Sequence, residues 1–288
     1  MKRNKIVWLV AAAMMFAPIT ACHKSSSSSS TSSVEVKEDE TISWNEDWEY
    51  ASFSKIHDDS VTLYYAQGSN RKGKVIAVNA GHGTKGGSSV KTYCHPDKSA
   101  KVTGGSTAEG ATKATAISEG TTLDDGTSEA EANLSLAKIL KEQLLEKGYD
   151  VLMIREDDDT QLDNIARTVL ANNNADCHLA LHYDSTDTDK GFFYIGVPDV
   201  DSYKSMEPVA SHWKEHEALG QAVLSGMKSA GVTIYGEGTM AVDLTQTSYS
   251  TVPSLDLEVG DRASKHDKDT QTTLAKGIVA GLNNYFES

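Results

Sequence analysis

Three short apolar runs each end in a side chain that could bind a metal ion or move a proton. His82 follows the run Val75-Ile76-Ala77-Val78, His182 closes a second run, and Glu258 closes a third. Runs of this length are typical of buried strands, and the first of them is rich in β-branched residues. In α/β proteins, ligands bind at the edge where the carboxyl ends of such strands meet. Imidazole and carboxylate groups at that edge could hold a metal or act as acid and base.

A carboxylate from a nearby helix could complete a metal site with the two histidines. Ser128 followed by Glu131 is a capping box, which predicts a helix start and gives Glu131 a role at the backbone. Glu129 lies on the more apolar stripe of that helix, so it is the better candidate to face inward. His82, Glu129 and His182 would form a His₂Glu set of the kind that holds catalytic zinc and leaves a position for water.

Two neighbouring residues must be distinguished from these candidates. His178 and His182 are spaced like a helical zinc pair, but residues four apart on a strand lie about 13 Å from each other. We therefore expect His178 to be structural. Glu258, at the strand end, is predicted to be the general base. Asp256 shares its face of the strand and is either a rival for that role or a structural residue.

The segments between these residues alternate between strand and helix patterns. Strands are predicted over residues 61–65 (at a sheet edge), 75–78, 149–154, 177–182, 192–195 and 254–258, and helices over 128–148, 162–173, 215–230 and 269–286. This order predicts an α/β fold: a single domain whose twisted, mostly parallel sheet is flanked by helices on both faces. Residues 84–127 show almost no apolar periodicity and are predicted to be a long loop, either functional or mobile.

The N-terminus has the pattern of an exported lipoprotein. Basic residues precede an apolar run, and Ile19-Thr20-Ala21-Cys22 resembles a bacterial lipobox. The resemblance implies a signal peptide over residues 1–21 and a lipid on the Cys22 sulfur. The protein would then be anchored to the outer face of the cytoplasmic membrane, or lie in the periplasm of a double envelope. An ordinary secretory peptide with an incidental cysteine is the alternative.

The expected organisation after cleavage has two parts. Residues 22–72 would be a lipidated, Ser-rich tether followed by a partly ordered acidic arm, and residues 73–288 the main domain with its long loop 84–127. The chain has 41 acidic and 27 basic residues and a net charge of −14, which the loss of three basic residues with the signal peptide would take to −17. Such a charge disfavours nucleic acid as a partner.

Cys94 and Cys177 are the cysteines that remain after Cys22. Cys177 begins a predicted strand, whereas Cys94 lies in the loop that leaves the opposite end of another strand. A strand of about six residues separates those two edges by roughly 20 Å. We expect two free thiols, because a disulfide would require the loop to fold back.

Taken together, these residues resemble the zinc-dependent N-acetylmuramoyl-L-alanine amidases of the amidase type 3 family. The family's opening motif, Asp-Pro-Gly-His-Gly-Gly after an apolar strand, corresponds to Asn79-Ala80-Gly81-His82-Gly83-Thr84. Its helix glutamate, four residues before an Asn-Leu pair, corresponds to Glu129 before Asn133-Leu134. Its later blocks correspond to Arg167, Ala171-Asn172, Ala175-Asp176, His182-Tyr183-Asp184 and Pro253 with Leu257-Glu258-Val259-Gly260. The matches run in the family's order over residues 73–287.

The chain departs from the family pattern at several positions. Asn79 and Ala80 replace aspartate and proline, and Thr84 replaces the second glycine. The loop 84–127 is longer than is usual for the family, and Asp261-Arg262 stand where an aromatic residue is usual. None of these changes removes a candidate site residue.

The resemblance implies an enzyme that hydrolyses the amide between N-acetylmuramic acid and L-alanine in peptidoglycan. Zn²⁺ would be held by His82, Glu129 and His182, with Glu258 as the general base. Two other functions stay open: a non-catalytic wall-binding or regulatory lipoprotein with the same fold, and an amidase or peptidase that cleaves a different amide. The position of the long loop beside His82 adds the hypothesis that it gates the site.

Overall fold

The computed structural model describes residues 37–287. The predicted signal peptide, Cys22 and the serine tract therefore lie outside the described residues. Between residues 37 and 287, no helix combines the length and the apolar character that a membrane span requires.

A central sheet of eight strands dominates the described part of the chain. The strands are β1 (Glu40–Ile42), β2 (Val61–Tyr64), β3 (Val75–Ala80), β4 (Lys91–Tyr93), β5 (Lys113–Thr115), β6 (Asp150–Met153), β7 (Cys177–Asp184), β8 (Phe192–Gly196), β9 (Ile234–Ala241) and β10 (Ser254–Asp261). Their order in the sheet is β1-β2-β6-β3-β7-β10-β8-β9, while β4 and β5 form a separate antiparallel pair. The pairs β6–β3, β3–β7, β7–β10 and β8–β9 are parallel.

Helices cover both faces of this sheet. They are α1 (Glu129–Glu146), α2 (Asn164–Asn174), α3 (Asp201–Lys204), α4 (Val209–Ser229), α5 (Thr245–Tyr249) and α6 (Lys268–Phe286). Along β3, Ile76 and Val78 join the core cluster that contains residues of α1, α4 and α6, whereas Ala77 joins a second cluster with α2. Successive side chains of a strand point to opposite faces, so β3 is apolar throughout because both of its faces are covered. The predicted fold class is confirmed.

Several details differ from the sequence-based expectation. β2 is not the edge of the sheet, because β1 pairs with it on the outside. α4 begins at Val209 rather than near residue 215. The exposed strand β9 and the short helices α3 and α5 were not predicted, because β9 is interrupted by two glycines and the helices are too short to show a period.

The segment 84–127 is an ordered insertion with its own hairpin, β4–β5. Its middle is fixed by Asp243, which is fully buried after β9. Asp243 accepts hydrogen bonds from His95 Nε2 at 3.1 Å, Lys101 Nζ at 2.7 Å and the Val102 amide at 2.7 Å. Burial would raise the pKa of Asp243, but these donors hold it below the usual range. The insertion is thus tied to a segment about 140 residues away, and a gating movement stays a prediction.

Both remaining cysteines are buried free thiols, as expected. Cys177 opens β7 and is fully buried. Burial raises the pKa of its thiol, so Cys177 stays protonated and chemically inert at neutral pH.

Candidate active site

His82, Glu129 and His182 come together at the carboxyl edge of the sheet. His82 Nε2 lies 2.8 Å from Glu129 Oε1, and His182 Nδ1 lies 3.0 Å from the same oxygen. The two ring nitrogens are 3.1 Å apart. Ligand atoms placed tetrahedrally about 2.1 Å from a zinc ion would be roughly 3.4 Å apart. The three side chains therefore direct their donor atoms at one point, and the predicted ligand set is brought together.

The outer nitrogens of both histidines have partners that favour a lone pair on the inner nitrogens. His82 Nδ1 donates to the carbonyl oxygen of Ser118 at 2.9 Å, which assigns the proton of the neutral ring to Nδ1. His182 Nε2 lies 3.7 Å from Asp256 Oδ2, which is too far for a hydrogen bond but lets the carboxylate charge favour a proton on Nε2. The inner atoms, His82 Nε2 and His182 Nδ1, are then available as cation ligands.

Glu129 is held as an ionised carboxylate. Its Oε2 accepts a hydrogen bond from the Thr121 amide at 2.8 Å, and its Oε1 accepts one from the Tyr183 amide at 3.2 Å. Burial would raise its pKa, but the close contacts with His182 and His82 hold it well below the usual range. Glu131, by contrast, is exposed, and its amide donates to the Ser128 side chain at 3.2 Å. The inward-facing carboxylate of this helix is Glu129.

The backbone at His82 is held in an unusual conformation by Arg167. The φ angle of His82 is 64°, in the left-handed region that side chains other than glycine rarely adopt. Arg167 is fully buried, and each of its five N–H groups has an acceptor. These acceptors are the carbonyl oxygens of Leu162 (2.9 Å), Ala80 (2.9 Å) and His82 (2.7 Å), Asn79 Oδ1 (2.9 Å) and Thr84 Oγ1 (3.1 Å).

Arg155 supports the same turn from the other side. Its guanidinium donates to the carbonyl oxygens of Ala80 at 2.9 Å, Gly81 at 3.1 Å and Ala130 at 2.6 Å, so it links the turn to α1. Within the described residues, neither arginine has a carboxylate partner within 4.0 Å. Burial lowers the pKa of Arg155 to about 10 and that of Arg167 to about 9, which leaves both charged at neutral pH. Carbonyl dipoles are the main compensation for these two charges.

Two glycines allow the backbone to approach the ligands closely. A Cβ at Gly81 would lie 2.2 Å from the His182 ring. A Cβ at Gly120, whose φ is +82°, would lie 2.6 Å from His82 Cδ2 and 2.9 Å from Glu129 Oε2. Together with the contacts of Ser118 and Thr121, this makes the end of the insertion one wall of the site.

Glu258 and Asp256 lie beside His182 on the neighbouring strand. The register pairs Glu258 with His182, and strand alternation places Asp256 on the same face. Within the described structure, Glu258 Oε2 and Asp256 Oδ1 are buried without a hydrogen-bond partner. Burial, and then the charge of Asp256, raise the pKa of Glu258 well above its ordinary value, and burial also raises the pKa of Asp256. A buried carboxylate oxygen with no donor is costly and is suited to accept a proton.

His178 lies outside the group formed by His82, Glu129 and His182. It is fully buried, and its Nδ1 lies 3.5 Å from Ser254 Oγ. Burial, followed by the charge of Arg167, lowers the pKa of His178 to about 3. It is therefore a neutral structural residue, as the spacing argument predicted.

The sequence patterns assigned no role to several residues that shape the site. Arg155 directly follows an apolar strand, and Arg167 lies among apolar residues of α2. An arginine among apolar residues indicates a buried guanidinium. Such a group must have hydrogen-bond partners, because arginine is almost never fully buried without them. Ser118, Gly120 and Thr121 carry no such signal, because their contacts with His82 and Glu129 depend on how the insertion folds back.

We predict that Arg167→Lys destabilises the protein by about 3 kcal/mol or more, because lysine leaves several buried acceptors without donors. For a domain of this size the melting temperature should fall by about 6–12 °C, as measured by circular dichroism. Arg262 is 39 % exposed and pairs with Asp124, so Arg262→Lys is the matched control and should cost less than about 1 kcal/mol. Equal melting temperatures for the two variants would contradict the role given to Arg167.

Comparison with known proteins places this geometry in a family. Similar solved structures include the N-acetylmuramyl-L-alanine amidase Ami1 of Mycobacterium smegmatis, with a TM-score of 0.61, 16 % identity and coverage of 75 % of this chain and 98 % of that chain. Ami1 of Mycobacterium abscessus has a TM-score of 0.57 and 19 % identity, and the match covers 74 % of this chain and 98 % of that chain. The N-acetylmuramoyl-L-alanine amidase of Clostridium difficile 630 has a TM-score of 0.52, 20 % identity and coverage of 76 % and 99 %. At these identities the likeness shows a shared fold.

The sequence gives a more specific result than the structural likeness. No curated protein matches the chain. The family model Amidase_3, described as N-acetylmuramoyl-L-alanine amidase, matches residues 76–284, which is more than half of the chain. That range contains His82, Glu129, His182 and Glu258. The chain therefore belongs to the N-acetylmuramoyl-L-alanine amidase family.

Proposed function

We propose that the protein is a zinc-dependent hydrolase that cleaves the amide between N-acetylmuramic acid and L-alanine in peptidoglycan. The observation that carries the proposal is the convergence of His82, Glu129 and His182 beside the unpaired carboxylate of Glu258. Membership of the amidase family supports the choice of an amide in the cell wall as the substrate.

The donor set fits zinc. Two neutral imidazoles and one carboxylate are the ligands of catalytic zinc sites that keep a position open for water. His82 and His182 have outer partners that direct lone pairs inward, and Glu129 is ionised. These three residues would hold the ion.

The chain's own residues account for the proton transfers of amide hydrolysis. When bound, zinc would polarise the scissile carbonyl and make a water molecule acidic enough to lose its proton near neutral pH. Glu258 accepts that proton as the water attacks the carbonyl carbon, and it then delivers the proton to the leaving amine nitrogen. A raised pKa suits this sequence, because the carboxyl group must hold the proton between the two transfers.

Replacing Glu258 with glutamine tests this assignment. Glu258→Gln keeps the side-chain size but removes the base, so release of stem peptides from peptidoglycan should fall by about 100-fold or more. Zinc content, measured by atomic emission, should be unchanged because Glu258 is not a ligand. Glu131→Gln, on the exposed side of α1, is the control and should retain full activity.

Other outcomes of this experiment identify the alternatives. Full release of stem peptides by Glu258→Gln, with loss of release in Asp256→Asn, would make Asp256 the base. Purified protein that contains no zinc and has no chelator-sensitive activity would favour a wall-binding or regulatory lipoprotein. Mass spectrometry of the products separates cleavage after muramic acid from cleavage of another amide.

The wall formed by the insertion gives a prediction about metal binding. Gly120→Ala should weaken zinc binding by about 10-fold or more, because its methyl group would displace His82 and Glu129. Gly110→Ala is the matched control, since Gly110 lies in the same insertion with the same φ of +82° but has no atom within 4 Å of a new Cβ. Competition with a chromogenic chelator measures both affinities. Equal losses in the two variants would attribute the effect to backbone strain alone.

We also propose that the mature protein begins at a lipid-modified Cys22 and is anchored at the cell envelope. The support is the sequence pattern Ile19-Thr20-Ala21-Cys22, followed by a serine tract. Mass spectrometry of the N-terminal peptide should show Cys22 at its start with a diacylglycerol mass, and Cys22→Ala should release the protein from membranes. An unmodified N-terminus would indicate the ordinary secretory alternative.

A further inference from the structure

A surface cavity of about 200 Å³ lies between the β4–β5 hairpin and the 3₁₀ turn at Ala51–Phe53. Four lysines and one tyrosine dominate its lining, which consists of Lys55, Lys91, Lys98, Lys113, Tyr93, Ser52, Phe53 and Thr92. None of these residues belongs to the site described above, so the cavity is a separate feature of the molecule.

The charge of this cavity is opposite to that of the protein as a whole. The chain carries a net charge of −14, yet no acidic side chain lines the cavity. Within residues 37–287, none of the four ammonium groups has a carboxylate partner within 4.0 Å. Some other lysines of the described part do have such partners: Lys74 pairs with Asp176 at 2.7 Å, and Lys204 pairs with Asp199 at 2.6 Å. Several like charges gathered in one concave surface attract an anion.

The hairpin holds these lysines in a defined arrangement. Tyr93 pairs with Lys113 across the hairpin, and Lys113 Nζ lies 4.9 Å from the Tyr93 ring centroid. Lys98 Nζ lies 5.2 Å from the same centroid, while Lys91 Nζ donates to Thr115 Oγ1 at 2.8 Å. The strand itself is fixed, because the Tyr249 hydroxyl donates to the Tyr93 carbonyl at 3.2 Å.

We propose that this cavity binds a phosphate group. Lysine binds phosphate as a compact point charge, and all the cationic residues that line the cavity are lysines. A volume of about 200 Å³ is smaller than a drug-sized pocket and suits one phosphate with a small attached unit such as glycerol. The exposed large hydrophobic residues of the described part, Tyr235 and Met240, belong to β9 and do not line the cavity.

The occupant with this chemistry is a polyol phosphate unit, either alone or repeated along a flexible phosphodiester chain. Binding such a chain would retain the protein on the polymer without involving His82 or Glu258. The inference is therefore independent of the proposed amide hydrolysis.

The test measures phosphate binding by purified full-length protein with its lysines changed. Isothermal titration with inorganic phosphate and with a glycerol phosphate oligomer gives the two affinities at low salt. The variant Lys98→Gln/Lys113→Gln should bind at least 10-fold more weakly, and 0.5 M NaCl should weaken binding by the wild type, because salt screens exposed charges. The control is Lys138→Gln/Lys276→Gln, which removes two exposed, unpaired lysines from α1 and α6 and should bind like the wild type.

The outcomes separate the possible sources of the phosphate group. Tighter binding of the oligomer than of inorganic phosphate supports a polymer ligand, and equal binding supports free phosphate. No binding of either, or equal binding by the two double variants, would overturn the proposal. So would lysine-dependent binding only to vesicles that contain phosphatidylglycerol, because that result would assign the patch to a membrane. Unchanged melting temperatures and unchanged stem-peptide release in both variants exclude damage to the fold.

Discussion

The candidate site depends on how two buried guanidinium groups satisfy the backbone between β3 and the insertion. Arg167 and Arg155 bind the carbonyl oxygens of consecutive residues, Ala80 to His82, where the chain leaves β3 and turns. Orphaned carbonyls would be costly at this depth. The arginines thereby stabilise a left-handed conformation at His82 and aim its imidazole at Glu129 and His182.

The departures from the family's opening motif take part in this arrangement. Asn79 stands where the family has aspartate, and its side-chain oxygen accepts a hydrogen bond from Arg167. Thr84 stands where the family has a second glycine, and its hydroxyl accepts from Arg167 and donates to the Thr160 carbonyl. Both changes provide neutral acceptors. The charge of Arg167 is therefore compensated by dipoles rather than by an adjacent carboxylate. The turn at His82 is still held by hydrogen bonds from Arg167.

The insertion 84–127 connects the candidate metal site with the rest of the surface. Its end supplies the Ser118 carbonyl and the Thr121 amide to His82 and Glu129, its middle is fixed on Asp243, and its hairpin forms the lysine-lined cavity. In the sequence this segment shows no hydrophobic periodicity and is predicted to be a loop, because its stability comes from distant partners rather than from an apolar stripe.

The sequence by itself determined the fold class, the order of the main strands and helices, and the candidate residues His82, Glu129, His182 and Glu258. Periodicity and strand ends are local properties, and the carboxyl ends of parallel strands must meet at one edge. Only the tertiary structure decided the arginine contacts, the wall at Gly120, the anchoring of the insertion and the cluster of lysines. Each of these joins residues far apart in the chain through hydrogen bonds or charge, and such pairings leave no periodic trace in the sequence.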